Sequence, residues 1–499
     1  MFKYFSALII FCATTAWGNP SEWSDYLVRV TPEFKSSFLQ MTHNMNGENS
    51  VEDLQFKDWL RLQIPAEYMN SLEFQALADH PGIIHIQPNY RISLFANPGL
   101  HTAAYRAFQQ KWRTQQPQNW LPQMWEETLA RMTDNPEFPR GGSGGSGPDP
   151  LFNKQWGMRD IGVQKGWRDT KGSQQMTVAV IDTGVDYTHE DLVDNLWRNA
   201  GEIGTDSNGQ DRSTNGIDDD GNGFIDDVVG WDFAANDNKP FDLSKSGFEL
   251  FQGGNPGHGT HCAGNVAARA DNGKGVVGVA PNVKIMVLRF LTEDGQGTTA
   301  DAIKSIKYAV DNGAQVLSNS WGSEGEDPED ESGNQALKDA IQYTQDNNRL
   351  FVAAAGNGHQ GVGYDNDNDS RPAYPASYDH DTIVSVAALD VNDNLGSFSN
   401  WGLRTVDIGA PGVKVFSTTV GSQYADTIFD KFGITITWDG TSMATPHVAG
   451  AAALYWSLHP NASYSEVKEA LLSRTEEIST LRGKVSSHGK LNIESLMNN

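Results

Sequence analysis

Thr177-Val178-Ala179-Val180-Ile181-Asp182-Thr183-Gly184-Val185-Asp186 starts as an apolar run and ends in a carboxylate followed by a tight-turn residue. A half-exposed strand alternates apolar and polar side chains. A run without a polar face belongs to a strand covered on both sides, as in a parallel sheet between helical layers. The same pattern recurs at Lys284 to Leu288, Gln315 to Leu317, Leu350 to Ala355 and Ile383 to Ala388. Between these runs Ala300, Ile303, Ile306 and Val310 keep helical spacing, and Gly313 stands where a helix would stop. The alternation predicts a three-layer α/β domain with a central parallel sheet over residues 149–499.

Upstream the pattern changes. Gly141-Gly142-Ser143-Gly144-Gly145-Ser146-Gly147 is a flexible linker by composition, and with the helix-spaced stretch before it forms an insert over 97–148. Residues 19–96 read as a small α+β unit of ferredoxin-like type. Strand patterns at Tyr26–Val30, Trp59–Ile64 and Ile83–Tyr90 are interleaved with helical stretches at Glu33–His43 and Tyr68–Ala78. Residues 1–18 carry Lys3, an apolar run from Tyr4 to Thr15, and the small-x-small end Ala16-Trp17-Gly18, the pattern of a secretory signal peptide. No other stretch approaches the ~18 apolar residues of a membrane helix. The expectation is a secreted product, extracellular or periplasmic.

Among 499 residues, 63 Asp+Glu face 37 Lys+Arg, a formal net charge of -26. That balance argues against nucleic acid or an anionic membrane as partner, since both need clustered cations. It leaves carboxylates for a hard cation. Of the two cysteines, Cys12 lies in the signal segment, so the remaining Cys262 can form no internal disulfide.

Three segments carry chemistry. Asp182 ends a buried strand, where α/β sheets place functional groups; alone it reads equally as a helix cap or a metal ligand. His258-Gly259-Thr260-His261-Cys262-Ala263-Gly264 opens a helix, and its spacing does not choose between the two histidines. Gly440-Thr441-Ser442-Met443-Ala444-Thr445-Pro446-His447-Val448-Ala449-Gly450 puts Ser442 at a helix N-terminus. That position suits a plain N-cap, and its unpaired N–H groups also favour a developing oxyanion.

In the chain order Asp, His, Ser these segments resemble the subtilisin-like serine proteases, or subtilases, over about residues 150–495. The resemblance implies a serine endopeptidase working through an acyl-enzyme. Ser442 is then the nucleophile, His258 the base, and Asp182 the group that orients His258. Phe351-Val352-Ala353-Ala354-Ala355-Gly356-Asn357 resembles the oxyanion segment, with Asn357 as a donor. Ser320-Trp321-Gly322 is similar to the strand that pairs with substrate, and with Ala354, Ala355 and Gly356 it flanks a roomy S1 pocket. Asp294 to Thr299 resembles the opposite edge of the cleft. Main-chain pairing of this kind implies broad specificity for protein and peptide substrates. Cys262 resembles the cysteine of one subset of subtilases, and the role of a small buried apolar side chain fits it better than a reactive one.

Residues 25–95 resemble the subtilase pro-domain. The resemblance implies a zymogen that carries its own intramolecular inhibitor and cuts itself between Leu94 and Pro150. A monomer is expected. The rival readings are a silent calcium-binding adhesion module and a processing protease dedicated to one partner.

Asp218, Asp220, Asn222, Phe224 and Asp226 fall at positions 1, 3, 5, 7 and 9 of a calcium loop, with Gly223 at the sharp turn. Position 12 is Val229 rather than a bidentate Glu, so the loop is not a complete EF-hand. Asp191 and Asp271 match positions where subtilases bind a structural calcium. The expected cofactor is Ca2+.

Overall fold

The computed structural model describes residues 23–43, 50–66, 68, 71–95, 97, 99, 149–245, 255–324, 333–431 and 434–498. The expected signal peptide (1–18), and the insert 97–148 apart from residues 97 and 99, lie outside the described residues. The chain divides into two compact units, Met1–Asn89 and Tyr90–Asn499. This boundary precedes the expected end of the pro-segment at 96, and it puts residues 90–95 with the larger unit.

In the smaller unit β1 (Trp23–Val30), β2 (Ser50–Phe56), β3 (Trp59–Pro65) and β4 (Ile83–Pro88) form an antiparallel sheet in the order β2-β3-β1-β4. Helices α1 (Pro32–His43) and α2 (Leu72–Ala78) supply Phe34, Phe38, Phe74 and Leu77 to a core shared with Val28, Leu60 and Leu62. This is the βαββαβ order expected of the ferredoxin-like unit.

The larger unit opens with β5 (Arg91–Leu94) and is built on a nine-stranded sheet. Its central strands are β6 (Thr177–Asp182), β7 (Gly230–Asp232), β8 (Lys284–Arg289), β10 (Val316–Asn319), β12 (Leu350–Ala354), β14 (Ile383–Leu389) and β15 (Ile408–Pro411). They run parallel in the order β15-β14-β12-β10-β6-β8-β7. Every residue of β6, β10, β12, β14 and β15 is buried, as the unbroken apolar runs require. Short strands β9 (Gln296–Thr298), β11 (Trp321–Glu324) and β13 (Ala373–Tyr374) stand apart from this sheet and bind β5 among them, in the order β13-β11-β5-β9.

Helices α3 (His258–Ala267), α4 (Thr299–Asp311), α5 (Gln335–Asp346) and α6 (Thr441–Leu458) surround the sheet. Helix α6 is apolar all round and packs on α3, β10, β12 and β14, so it lies within the core. Gly259, the second residue of α3, permits the close approach of α3 to the exit of β6. A Cβ there would meet the Gly184 carbonyl oxygen at 2.2 Å and Asp182 Cβ at 3.2 Å.

Candidate active site

Asp182 is the last residue of β6, His258 the first of α3 and Ser442 the second of α6; all three are buried. The two carboxylate oxygens of Asp182 accept from His258 Nδ1 at 2.9 and 3.0 Å, and Oδ1 also takes the Thr183 N–H at 2.7 Å. With Nδ1–H donating, Nε2 is the basic end of the ring. Nε2 is buried and has no hydrogen-bond partner among the described residues. His261 is different: its Nε2 donates to Val415 O at 3.0 Å, and its ring stacks on Trp438 with centroids 4.1 Å apart. Burial lowers His261 to about 3, so it stays neutral.

The expected third link takes another form. Ser442 Oγ donates to Ser320 O at 3.1 Å rather than to His258, while Ser320 Oγ returns a bond to Ser442 O at 2.9 Å. Ser320 lies between β10 and β11, outside both strands, which makes its carbonyl available. The Ser442 carbonyl is available because Pro446, four residues on inside α6, has no N–H to donate back to it. Cys262 Sγ bridges the site, 3.8 Å from His258 Nδ1 and 3.5 Å from Ser442 O. Burial pushes the Cys262 thiol up, so it remains a packing group.

Asn357 closes the floor. Its Oδ1 accepts from Thr441 N and Thr441 Oγ1, both at 2.9 Å, which fixes Nδ2 as the donating end at the start of α6. The first N–H groups of a helix have no intrahelical acceptor, so this corner gathers donors. Ala354 and Ala373 form an apolar pocket that holds the Phe95 ring. A Cβ on Gly322 would meet Phe95 Cζ at 2.4 Å, and one on Gly356 (φ 108) would meet Ala373 Cβ at 2.9 Å. Ala355 turns to another cluster with Ala387 and Leu389. Trp321 contributes backbone only: its indole is buried edge-on against Phe290 and Phe351.

The profile of the Subtilase family (Peptidase_S8) matches residues 173–490. The chain belongs to the subtilase family. The thermophilic serine proteinase of Bacillus sp. (strain AK1) is 34% identical over 357 residues, 69% of this chain and 70% of that protein. Thermitase of Thermoactinomyces vulgaris is 35% identical over 332 residues, 66% of this chain and 92% of its own length. Subtilisin DY of Bacillus licheniformis is 40% identical over 218 residues, 44% and 69% respectively. This subtilase is a serine-type endopeptidase.

The subtilase's acidic loops gather in two places. Carboxylate oxygens of Asp218, Asp220 and Glu202 lie within 4.8 Å of one another. Glu202 is buried; its Oε1 accepts from the Asp219 N–H at 2.7 Å, while Oε2 is buried without a partner among the described residues. That is a poor place for an anion unless a cation joins it, and the donor set of hard oxygens suits calcium. Asn222 sits beside them, its Nδ2 donating to Asp220 Oδ2 at 3.4 Å and Asp227 Oδ2 at 3.0 Å. Asp226 is occupied by the Gly216 N–H at 3.2 and 3.1 Å and is not one of the cluster. Phe224 places its ring edge-on to Trp231, Phe233 and Tyr308.

At the second place Asp191 is buried, accepting from Asn272 Nδ2 at 2.6 Å and the Val276 N–H at 2.8 Å. Burial pushes it up to about 6, with nearby Asp149 adding to the effect. Asp149 Oδ1 is itself buried without a partner among the described residues. Asp271 is not brought to Asp191; it pairs with Lys171 on the outside. Glu202 and Asp149 were not legible as candidates in the sequence, because neither stands in a spaced acidic motif.

Burial opposes charge on His258, but Asp182 facing it outweighs that cost and holds the imidazolium well above the usual histidine range. A histidine can accept a proton only when neutral, so any activity that depends on proton transfer to His258 grows as pH rises through this value. The expected result is an acidic limb of kcat/KM versus pH centred above 6.5, the usual value for histidine. Hydrolysis of a neutral peptide ester across pH 5–10 checks it; a limb at or below pH 6 contradicts the pairing.

Proposed function

We propose that the subtilase hydrolyses peptide bonds with Ser442 as nucleophile, His258 as general base and Asp182 as the group that orients the imidazole. The observation that carries this reading is the buried Asp182–His258 pair at 2.9 Å, whose Nε2 has no partner among the described residues, tied to the first turn of α6 by Cys262 Sγ, 3.8 Å from His258 Nδ1 and 3.5 Å from Ser442 O. For catalysis Ser442 Oγ leaves Ser320 O and donates to Nε2. His258 accepts the hydroxyl proton as Oγ attacks the substrate carbonyl, and Asp182 stabilises the cation formed. Asn357 Nδ2 and the start of α6 meet the oxyanion. His258 then returns the proton to the leaving amine, and water releases the acyl group by the same steps in reverse.

Substrate adds a strand between β9 and β11, so affinity comes mainly from main-chain pairing and specificity is broad. Glu202, Asp218 and Asp220 would hold one calcium ion, and Asp149 with Asp191 would hold another. Calcium held there would neutralise these carboxylates and tie their loops together. The enzyme is made as a secreted zymogen, and the 19–96 segment restrains it until it is cut. A fluorophosphonate probe that labels the matured protein at Ser442, together with digestion of unfolded casein, tests the reading; an unlabelled, inert protein removes it.

Replacing Asn357 with leucine keeps the size and removes the donor. The expected loss in kcat is about 10²–10³-fold with KM nearly unchanged, the size measured for the matching donor in a member of this family. A loss confined to KM contradicts the role.

A further inference from the structure

We propose that Asn366 is a positioning residue: its amide fixes the gap between the two walls of the apolar pocket, and so sets how far large substrate side chains are preferred over small ones. The inference rests on the protease reading above, in which the pocket between Ala354–Gly356 and Ala373 receives a substrate side chain. It gives a task to a side chain whose hydrogen bonds go to those walls and not to Asp182, His258 or Ser442.

The walls come from strands that do not pair with each other. Ala354 ends β12 of the nine-stranded sheet, and the chain runs on through Ala355 and Gly356 to Asn357; Ala373 begins β13 of the four-stranded sheet. No ladder of backbone bonds therefore joins the two walls. The Asn366 amide does so instead. Its Nδ2 donates to Ala355 O at 2.9 Å, and its Oδ1 accepts from the Ala373 N–H at 3.3 Å. Donor and acceptor sit on one planar group with no torsion between them, so the separation they impose is fixed.

The direction of this amide is set from outside the pocket. The Tyr364 N–H donates to Asn400 Oδ1 at 3.3 Å, which turns Asn400 Nδ2 towards Asn366 Oδ1, 3.1 Å away. A backbone donor at the start of the relay thus fixes which end of Asn366 meets which wall. The Trp401 N–H bonds Tyr364 O at 3.0 Å and the Asn366 N–H bonds Trp401 O at 2.7 Å, holding the segments that carry both amides side by side. Asn366 is 3% exposed and Asn400 0%, so water does not compete for these bonds. Asn400 also fills the space behind Gly356, where a Cβ would meet its Nδ2 at 2.4 Å.

Without the Asn366 amide the walls are free to part. An aromatic ring lodged between them then loses contact, whereas a methyl group that does not span the gap loses little. The change falls on binding of the large side chain, hence on KM, and not on the proton transfers at Ser442.

The test is hydrolysis, by the matured enzyme, of two peptide anilides that differ only in carrying phenylalanine or alanine before the scissile bond. Active enzyme is counted by fluorophosphonate labelling. Asn366→Ala is expected to raise KM for the phenylalanine substrate about 10-fold, the order of discrimination an apolar pocket supplies. KM for the alanine substrate stays put, and kcat for both changes by less than about threefold. Asn366→Ser, neutral and able to reach one wall at a time, is expected to fall between wild type and Asn366→Ala, and it carries the test if the alanine variant does not fold. A residue that only stabilised the fold would lower Tm and the labelled fraction and leave the ratio between the substrates unmoved. That result overturns the assignment, as does a wild-type enzyme that cuts both substrates equally well; either leaves the protease reading intact. A wild type that neither labels nor cleaves overturns both.

Discussion

Ser442→Ala is expected to lower kcat for peptide hydrolysis about 10⁶-fold, the loss measured on removing the nucleophile from a member of this family. Cys262 cannot replace it: its Sγ is held against Nδ1 of His258, and burial keeps its thiol protonated. The fold should be unaffected, since Ser442 Oγ makes a single hydrogen bond to Ser320 O and alanine fits the same space. Loss of that bond is worth about 1 kcal/mol. Active-site labelling, peptide hydrolysis and thermal unfolding of the variant check this together. Retention of more than about 1% of the activity would mean that the chemistry lies elsewhere.

Removing calcium is expected to have the largest effect on stability. A ligand that binds only the folded state at about 1,000 times its Kd contributes about 4 kcal/mol per site. Two such sites in the larger unit correspond to a fall in Tm of roughly 10–20 °C on chelation. The Ser442→Ala protein is the one to measure, because self-digestion does not blur its unfolding. Glu202→Gln removes the buried negative charge whose Oε2 has no partner among the described residues, and should abolish about half of the calcium-dependent gain. Superimposable melting curves with calcium and with a strong chelator would exclude both sites.

Much of the architecture was readable because its signals are local. The apolar runs at 177, 284, 350 and 383 became β6, β8, β12 and β14 with ends within a residue or two. Strand β15 was not readable: Ile408-Gly409-Ala410-Pro411 has weak strand preference, and pairing with β14 creates it. The preference for glycine at 409 is also tertiary, since a Cβ there would meet Leu481 Cδ1 at 2.6 Å.

The chemical groups divide along the same line. Asp182, His258 and Ser442 each sit in a contiguous motif, so sequence could nominate them. The Ser442 hydroxyl direction depends on a carbonyl freed between two distant strands, and no local pattern encodes it. Trp321 showed the same limit: successive residues in a strand face opposite ways, and the indole went into the core. Glu202 and Asp149 join their partners only through folding.

The all-parallel order of β15-β14-β12-β10-β6-β8-β7 also bears on how long the enzyme lasts among its own copies. Neighbours in that ladder are joined through crossover connections, so assembly must close loops before pairing rewards it, and refolding from the open chain is slow. When an unfolded molecule is degraded faster than it can refold, lifetime follows the opening rate and not the equilibrium balance. Such a ladder makes each opening costly, because a molecule that opens among active copies is cut before it can close again.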